Sequence, residues 1–215
     1  MTDMTALSGK SPPIKAIAFD VGNVIVPWDP RRAYAPLFHD RPDELDHFLN
    51  NICTLEWHTR HDRGVPFADN IHDLQQQYPA YAEMIAAFET EWDNMFGEII
   101  EGTVALLRRL HSRGYPLYAL TNFAADKFAR FREQHDFMSL FRDAIVSGAE
   151  KVTKPDPKIY QILLKRTGLP AENILFIDDR QENLDAAERL GLRTILFRDA
   201  DQLASELSRR GIIQG

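Results

Sequence analysis

Cysteine is almost missing from this chain: Cys53 is the single one in 215 residues. No internal disulfide can form, and the cytoplasm is the expected location. Cys53 sits in the run Phe48-Leu49-Asn50-Asn51-Ile52-Cys53 and reads as a small core residue. Positive charge is also scarce, with 25 Lys and Arg against 32 Asp and Glu, a formal net charge of −7. A phosphate backbone requires a basic face, so no nucleic-acid partner is expected. A small phosphorylated metabolite remains open, because it needs only one local cation or metal. No apolar run approaches the ~20 residues that cross a bilayer, so no membrane partner is expected. The opening residues are small and polar, end in Pro12-Pro13 and lack an apolar stretch. They read as a flexible N-terminal tail over residues 1–13 and not as a signal peptide. Internal repeats and low-complexity tracts are absent too. What is present is a 44% hydrophobic composition, enough for a sizeable core in one or two domains.

Apolar runs of strand length alternate with helical patterns through most of the chain. Residues 14–20, 117–121, 144–147, 174–179 and 194–197 read as strands. Helices are expected over 103–113, 124–133, 156–167, 183–190 and 201–210, several of them stopped by glycine. This alternation predicts an α/β fold, a Rossmann-like doubly wound parallel sheet with right-handed crossovers. Residues 29–96 break the rhythm. Asp29-Pro30 caps a helix, further helical patterns follow over 42–49 and 67–78, and the spacing of Tyr81, Met84, Ile85, Phe88, Trp92 and Met95 predicts one amphipathic helix over 80–95. The expected organisation is therefore a core of 14–28 and 97–215 with a helical cap, 29–96, inserted after the first strand.

Three of the apolar strands end in polar residues: Asp20, Thr121-Asn122 and Asp178-Asp179. Open parallel sheets bind ligands at the carboxyl ends of their strands, so these residues should meet. Lys154, in the loop before the helix that precedes Asp178, joins them. Two adjacent acids after Ile-Leu-Phe-Ile repel each other unless a cation is near. The carboxylates suit a hard dication such as Mg2+. Thr121, Asn122 and Lys154 would hold a phosphoryl group. Asp20 would attack it and form an aspartyl-phosphate that water hydrolyses.

These motifs resemble those of the haloacid dehalogenase (HAD) superfamily, mostly Mg2+-dependent phosphatases. Asp20-Val21-Gly22-Asn23-Val24 is similar to its first motif, Leu120-Thr121-Asn122 to the second, Lys154-Pro155 to the third and Ile177-Asp178-Asp179-Arg180-Gln181-Glu182-Asn183 to the fourth. The match includes a helical cap of the family's first class (C1, subfamily I), and the nearest resemblance is to bacterial glucose-1-phosphate-type phosphatases. The resemblance implies metal ligation by Asp20, the Gly22 backbone carbonyl, Asp178 and Asp179, with Asn183 supporting them by a hydrogen bond. Two departures stand out. Gly22 occupies the place where most relatives carry the aspartate that protonates the leaving alcohol, and Asn183 stands where many carry a carboxylate. Without that acid, leaving groups that are already weak bases are favoured, which points to a sugar phosphate, a sugar 1-phosphate in particular. A water, Asp29 or His58 could substitute for the missing donor.

The cap should set specificity. Its polar segment Glu56–Gly64 offers Trp57, His58, Arg60, His61 and Arg63 for sugar hydroxyls or a second anion. His58 and His61 lack a third ligand at usable spacing and do not read as a metal pair. Trp28, Trp57 and Trp92 are candidates to line the cleft, although Trp92 lies on an apolar stripe and reads as core. Two other activities compete: a metal-free 2-haloacid dehalogenase, which has no use for Asp178-Asp179, and a weakly catalytic regulatory protein, which Gly22 keeps open. Monomer and homodimer are equally compatible with the sequence.

Overall fold

In the computed structural model, residues 12–39 and 41–214 are described. Most of the tail expected over 1–13 lies outside them. The five described strands are β1 (Ala16–Phe19), β2 (Leu117–Thr121), β3 (Phe141–Val146), β4 (Ile174–Asp178) and β5 (Arg193–Leu196). They form one parallel sheet in the order β3-β2-β1-β4-β5. The first strand is central, and the chain winds outward from it in both directions, as the sequence predicts.

Alternating side chains build two cores. Ile17, Phe19, Leu117, Ala119, Leu175 and Ile177 point to one face, where α6 (Glu101–Ser112) and α11 (Ala200–Arg209) bring Leu107, Leu110, Leu203 and Leu207. Ala16, Ala18, Tyr118, Leu120, Ile174 and Phe176 point to the other, against Ile159, Leu163, Leu184 and Ala187 of α9 (Pro157–Thr167) and α10 (Gln181–Glu188). Burial on both faces is why these strands read as continuous apolar runs. Edge strand β3 starts three residues earlier than expected. Arg142 is exposed and Asp143 half-buried, so the apolar signal begins only at Ala144, and the register slips between Leu117 and Tyr118.

Between β1 and α6 the chain is helical: α1 (Arg31–Phe38), α2 (Pro42–Asn51), α3 (Leu55–Asp62), α4 (Phe67–Gln77) and α5 (Ala82–Thr90). The single helix expected over 80–95 is three pieces, with 3-10 turns at Pro79–Tyr81 and Trp92–Met95 flanking α5. The second turn lets the chain extend and run back beside its entry. Asp29 N donates to Met95 O at 3.0 Å and Gly97 N to Pro27 O at 2.8 Å. Cys53 is buried just past α2, as expected of a core residue. No described helix is long and apolar enough to cross a membrane.

Candidate active site

The sheet places Asp20 one residue past β1, between the ends of β2 and β4, and its N–H donates to Ile177 O at 2.8 Å. Backbone pairing therefore fixes the position of its side chain. Asp20 Oδ1 accepts from Val21 N at 2.7 Å and lies 2.9 Å from Lys154 Nζ. No described residue donates to Oδ2. Lys154 also reaches Asp178 Oδ2, at 2.7 Å. The ammonium is buried between two buried carboxylates. Burial alone would push it down, but Asp178 and Asp20 outweigh that and hold its pKa above the ordinary lysine value. Burial raises the Asp20 carboxyl, Lys154 pulls it back, and Asp178 and Asp179 push it up again.

Lys154 is held by its backbone. Asn122 Nδ2 donates to Lys154 O at 3.0 Å, and Lys154 N donates to Asn122 Oδ1 at 2.8 Å. The Asn122 carboxamide is thus a clamp on the lysine loop, and Asn122 also lines the cavity described below. Asp178 is held by its neighbours as well. Its carboxylate accepts from Lys154, from Arg180 N and, on both oxygens, from Asn183 Nδ2 at 2.9 and 3.1 Å. A carboxylate offers about four lone-pair sites, so these contacts fix the orientation of Asp178 and let it anchor Lys154. Asn183 makes the hydrogen bond expected of it, and Tyr160 fixes Asn183 in turn by donating to its carbonyl at 2.8 Å.

Asp179 is half-buried, and its Oδ2 accepts from Asn23 Nδ2 at 3.2 Å. Burial and Asp178 raise its pKa. Asn23 was not singled out from the sequence. It holds a left-handed backbone, φ 57°, one that asparagine tolerates better than most residues, and its Oδ1 also accepts from Trp28 N. A polar residue after a glycine is too common a turn signal to expose this bridge. Thr121 Oγ1 is buried at the end of β2 with no hydrogen-bond partner.

Oxygens of Asp20, Asp178 and Asp179 lie within 4.8 Å of one another. Three carboxylates against one ammonium leave two negative charges uncompensated. A dication that holds oxygens at about 2.1 Å fits both that charge and that span.

These groups open into a cavity of about 380 Å3. Asp20, Gly22, Lys154 and Asp179 form its floor. Rings and apolar groups of Trp28, Leu55, His58, Trp92, Phe96 and Phe123 form one part of its walls, and Thr59, Asp62, Asn122, Arg180 and Asn183 add polar groups. His58 clusters with Trp28, 4.7 Å away and nearly parallel, and Trp92 at 5.6 Å, the two tryptophans themselves 6.3 Å apart. Burial lowers its pKa to about 3, with His61 adding to the effect, so the imidazole is neutral. Trp92 is both core and wall.

The other cap candidates are elsewhere. Trp57 is inside the cap, its Nε1 donating to Asn70 O at 3.3 Å. His61 stacks on Phe67 at 4.0 Å. Arg60 pairs with Asp73 on the surface, and Arg63 Nε donates to Thr153 Oγ1 at 3.4 Å. None of these four lines the cavity. Alternation of polar and apolar residues made α3 read as a polar strip, whereas the helix turns Trp57 and His61 inward.

A carboxylate at the end of a central parallel strand, a buried lysine clamped against it and an acidic pair on the next strand define a hydrolase site of nucleophilic type. The sequence model of the haloacid dehalogenase-like hydrolases matches residues 14–191, and the chain is a hydrolase of that family. It is 29% identical over 194 residues to a sesquiterpene phosphatase of Aspergillus oryzae, covering 90% of this chain and 94% of the relative. Its fold matches that of a HAD family enzyme of Bacteroides thetaiotaomicron solved as a magnesium complex, with a TM-score of 0.70 at 20% identity, over 92% of this chain and 100% of that one. It also matches an L-2-haloacid dehalogenase of Xanthobacter autotrophicus, with a TM-score of 0.60 at 17% identity, over 93% and 84% of the two chains.

Proposed function

We propose that this hydrolase is a Mg2+-dependent phosphatase that cleaves a small phosphate monoester whose organic part is apolar. One observation carries the reaction class: the buried Lys154 ammonium bridges Asp20 and Asp178 on the floor that Asp179 shares. That arrangement brings an anionic nucleophile and an anionic substrate together. Asp20, Asp179 and the Gly22 carbonyl would hold Mg2+, which supplies positive charge against the phosphoryl oxygens. An Asp20 oxygen attacks phosphorus, the ester P–O bond breaks and the alcohol leaves. Water then attacks the phosphorus, releasing phosphate and restoring Asp20. Lys154 and the Thr121 hydroxyl hold the phosphoryl oxygens through both steps.

The walls decide the organic part. A sugar phosphate, the expectation from the missing acid, would have to place its hydroxyls on the few polar wall groups, such as Thr59 and Arg180, whereas the rings of Trp28, Trp92, Phe96 and Phe123 favour an apolar body. The cavity volume falls within the range of small-molecule sites, about 300–1,000 Å3. An isoprenoid or aryl phosphate suits such walls, and the similarity to a sesquiterpene phosphatase supports the same reading.

The test is phosphate release from an isoprenoid monophosphate, an aryl phosphate and a sugar 1-phosphate, each with Mg2+ and with chelator. Isoprenoid and aryl esters should give the higher kcat/KM, chelator should abolish turnover, and Asp20→Asn should be inactive. Preference for the sugar ester would overturn the substrate class. Metal-independent halide release from a 2-haloacid would overturn the reaction class.

A further inference from the structure

Position 22 lacks a proton donor, and the space there is open: a Cβ on Gly22 would meet nothing within 4 Å. Neither of the two side chains named from the sequence as substitutes fills the gap. Asp29 is exposed, and its carboxylate caps the start of α1 by accepting from Arg31 N. His58 is buried and neutral.

The cavity wall formed by α3 carries a third candidate. Asp62 lines the same cavity as Asp20, Lys154 and Asp179, one helical turn after His58. It is 5% exposed. Its Oδ2 lies 3.4 Å from His58 Nε2, and its Oδ1 has no hydrogen-bond partner. Burying a carboxylate with an unpartnered oxygen is costly, and such groups call for an explanation. Among the described residues, no Lys or Arg forms an ion pair with it. Its placement is enforced from below. Gly64, two residues on, seats α3 against the core so closely that a Cβ there would lie 2.9 Å from Gly148 O.

We propose that Asp62 is the general acid and base of this hydrolase, supplied by the cap in place of the residue missing at position 22. This rests on the phosphatase reading. In the first step the bond from an Asp20 oxygen to phosphorus forms, the ester P–O bond breaks, and the Asp62 proton passes to the leaving oxygen. In the second step the Asp62 carboxylate takes a proton from water as the water oxygen bonds to phosphorus. The Asp20–phosphorus bond then breaks. The electrostatics agree with a proton held near neutrality: burial and then Asp20 push the Asp62 carboxyl up to about 7, with Lys154 opposing.

The test compares two esters in the holoenzyme with Mg2+: 4-nitrophenyl phosphate, whose leaving group is a weak base, and a primary alkyl phosphate. For Asp62→Asn, kcat/KM on the alkyl ester should fall about 10²–10⁴-fold, the usual share of a general acid, with the aryl ester within about threefold. The retained aryl activity shows that the variant folds. Adding Gly22→Asp to Asp62→Asn should restore alkyl turnover, since position 22 has room. Equal losses on both esters would make Asp62 structural, and no loss on the alkyl ester would make it idle; either overturns the assignment. Failure of the wild type to release phosphate from both esters would overturn the phosphatase reading and this assignment with it.

Discussion

At the scale of single residues, the site is a balance of buried charges. Asp62 shows what that balance costs. Its folded-state pKa lies near 7, against an ordinary 3.8, so the folded chain keeps a proton that the unfolded chain releases. The stabilisation from that proton is complete below about pH 4 and gone above about pH 7. Asp62→Asn is neutral at every pH and carries no such loss. Its thermal midpoint should exceed that of the wild type at pH 8, by roughly 2–4 °C for each kcal/mol recovered. The difference should shrink towards pH 5, where Asp62 is itself protonated. His58 is neutral in both proteins, and Asp20 and Lys154 are kept in both. A midpoint difference constant across pH would show that Asp62 is not buried as an acid. Asp179 is tested through the cation it would hold. Millimolar Mg2+ should raise the wild-type midpoint, as any ligand that binds only the folded state does. Asp179→Asn should lose most of that rise while leaving the metal-free midpoint within about 2 °C, since the residue is only half-buried. Melting curves with Mg2+ and with chelator read both effects without any substrate.

At the scale of elements, α3 is the part on which catalysis and specificity depend, and it rests on one glycine. Gly64 has φ 87°, and a Cβ would meet the Gly148 carbonyl. Left-handed backbone costs a non-glycine residue about 1–2 kcal/mol, so Gly64→Ala should lower the midpoint by at least about 2–4 °C. The same change should reduce kcat/KM, because displaced α3 carries His58 and Asp62 away from Asp20. A folded variant with unchanged kcat/KM would show that the cap seat has no bearing on chemistry. This element also marks where the sequence stops being readable. Strands β1, β2 and β4 announce themselves, because burial on both faces demands continuous apolar runs and the sheet edge demands that polar residues follow. Asp20, Lys154, Asp178 and Asp179 could therefore be grouped from the sequence. Asp62 could not. Between His61 and Arg63 it has the look of a solvated charge, and its burial depends on long-range packing such as the approach of Gly64 to Gly148, 84 positions apart in the chain. The contacts that Asn122 and Asp178 make with the lysine loop were not legible either, because they depend on which lone pairs that loop fills.

At the scale of the whole molecule, cap and core are not separate cores joined by a hinge. One apolar cluster runs from Ile17 and Phe19 on the sheet through Val24, Ile25 and Met95 to Phe48 and Phe88 in the cap helices. The two crossing segments are hydrogen-bonded to each other and to the core, Ile100 N donating to Ile25 O at 2.8 Å. Arg130 of α7 (Ala125–Gln134) also reaches Asp93 at the foot of the cap, at 2.6 Å, but both groups are exposed and such a pair is worth little. The shared cluster is what should couple the two parts, and the tryptophans allow this to be tested. Trp28, Trp57 and Trp92 all belong to the cap or its entry, and none lies on the sheet. Tryptophan fluorescence therefore follows the cap, whereas far-ultraviolet dichroism follows the helices and strands of the whole chain. Unfolding in urea should give coincident curves by the two probes, the mark of a single cooperative unit. Phosphate with Mg2+, bound on the floor of the cavity, should then shift both curves together. A fluorescence transition that precedes the dichroism would mean that the cap melts on its own. Asp62 would then be delivered by an element free to leave, and turnover should fall in step with the fluorescence.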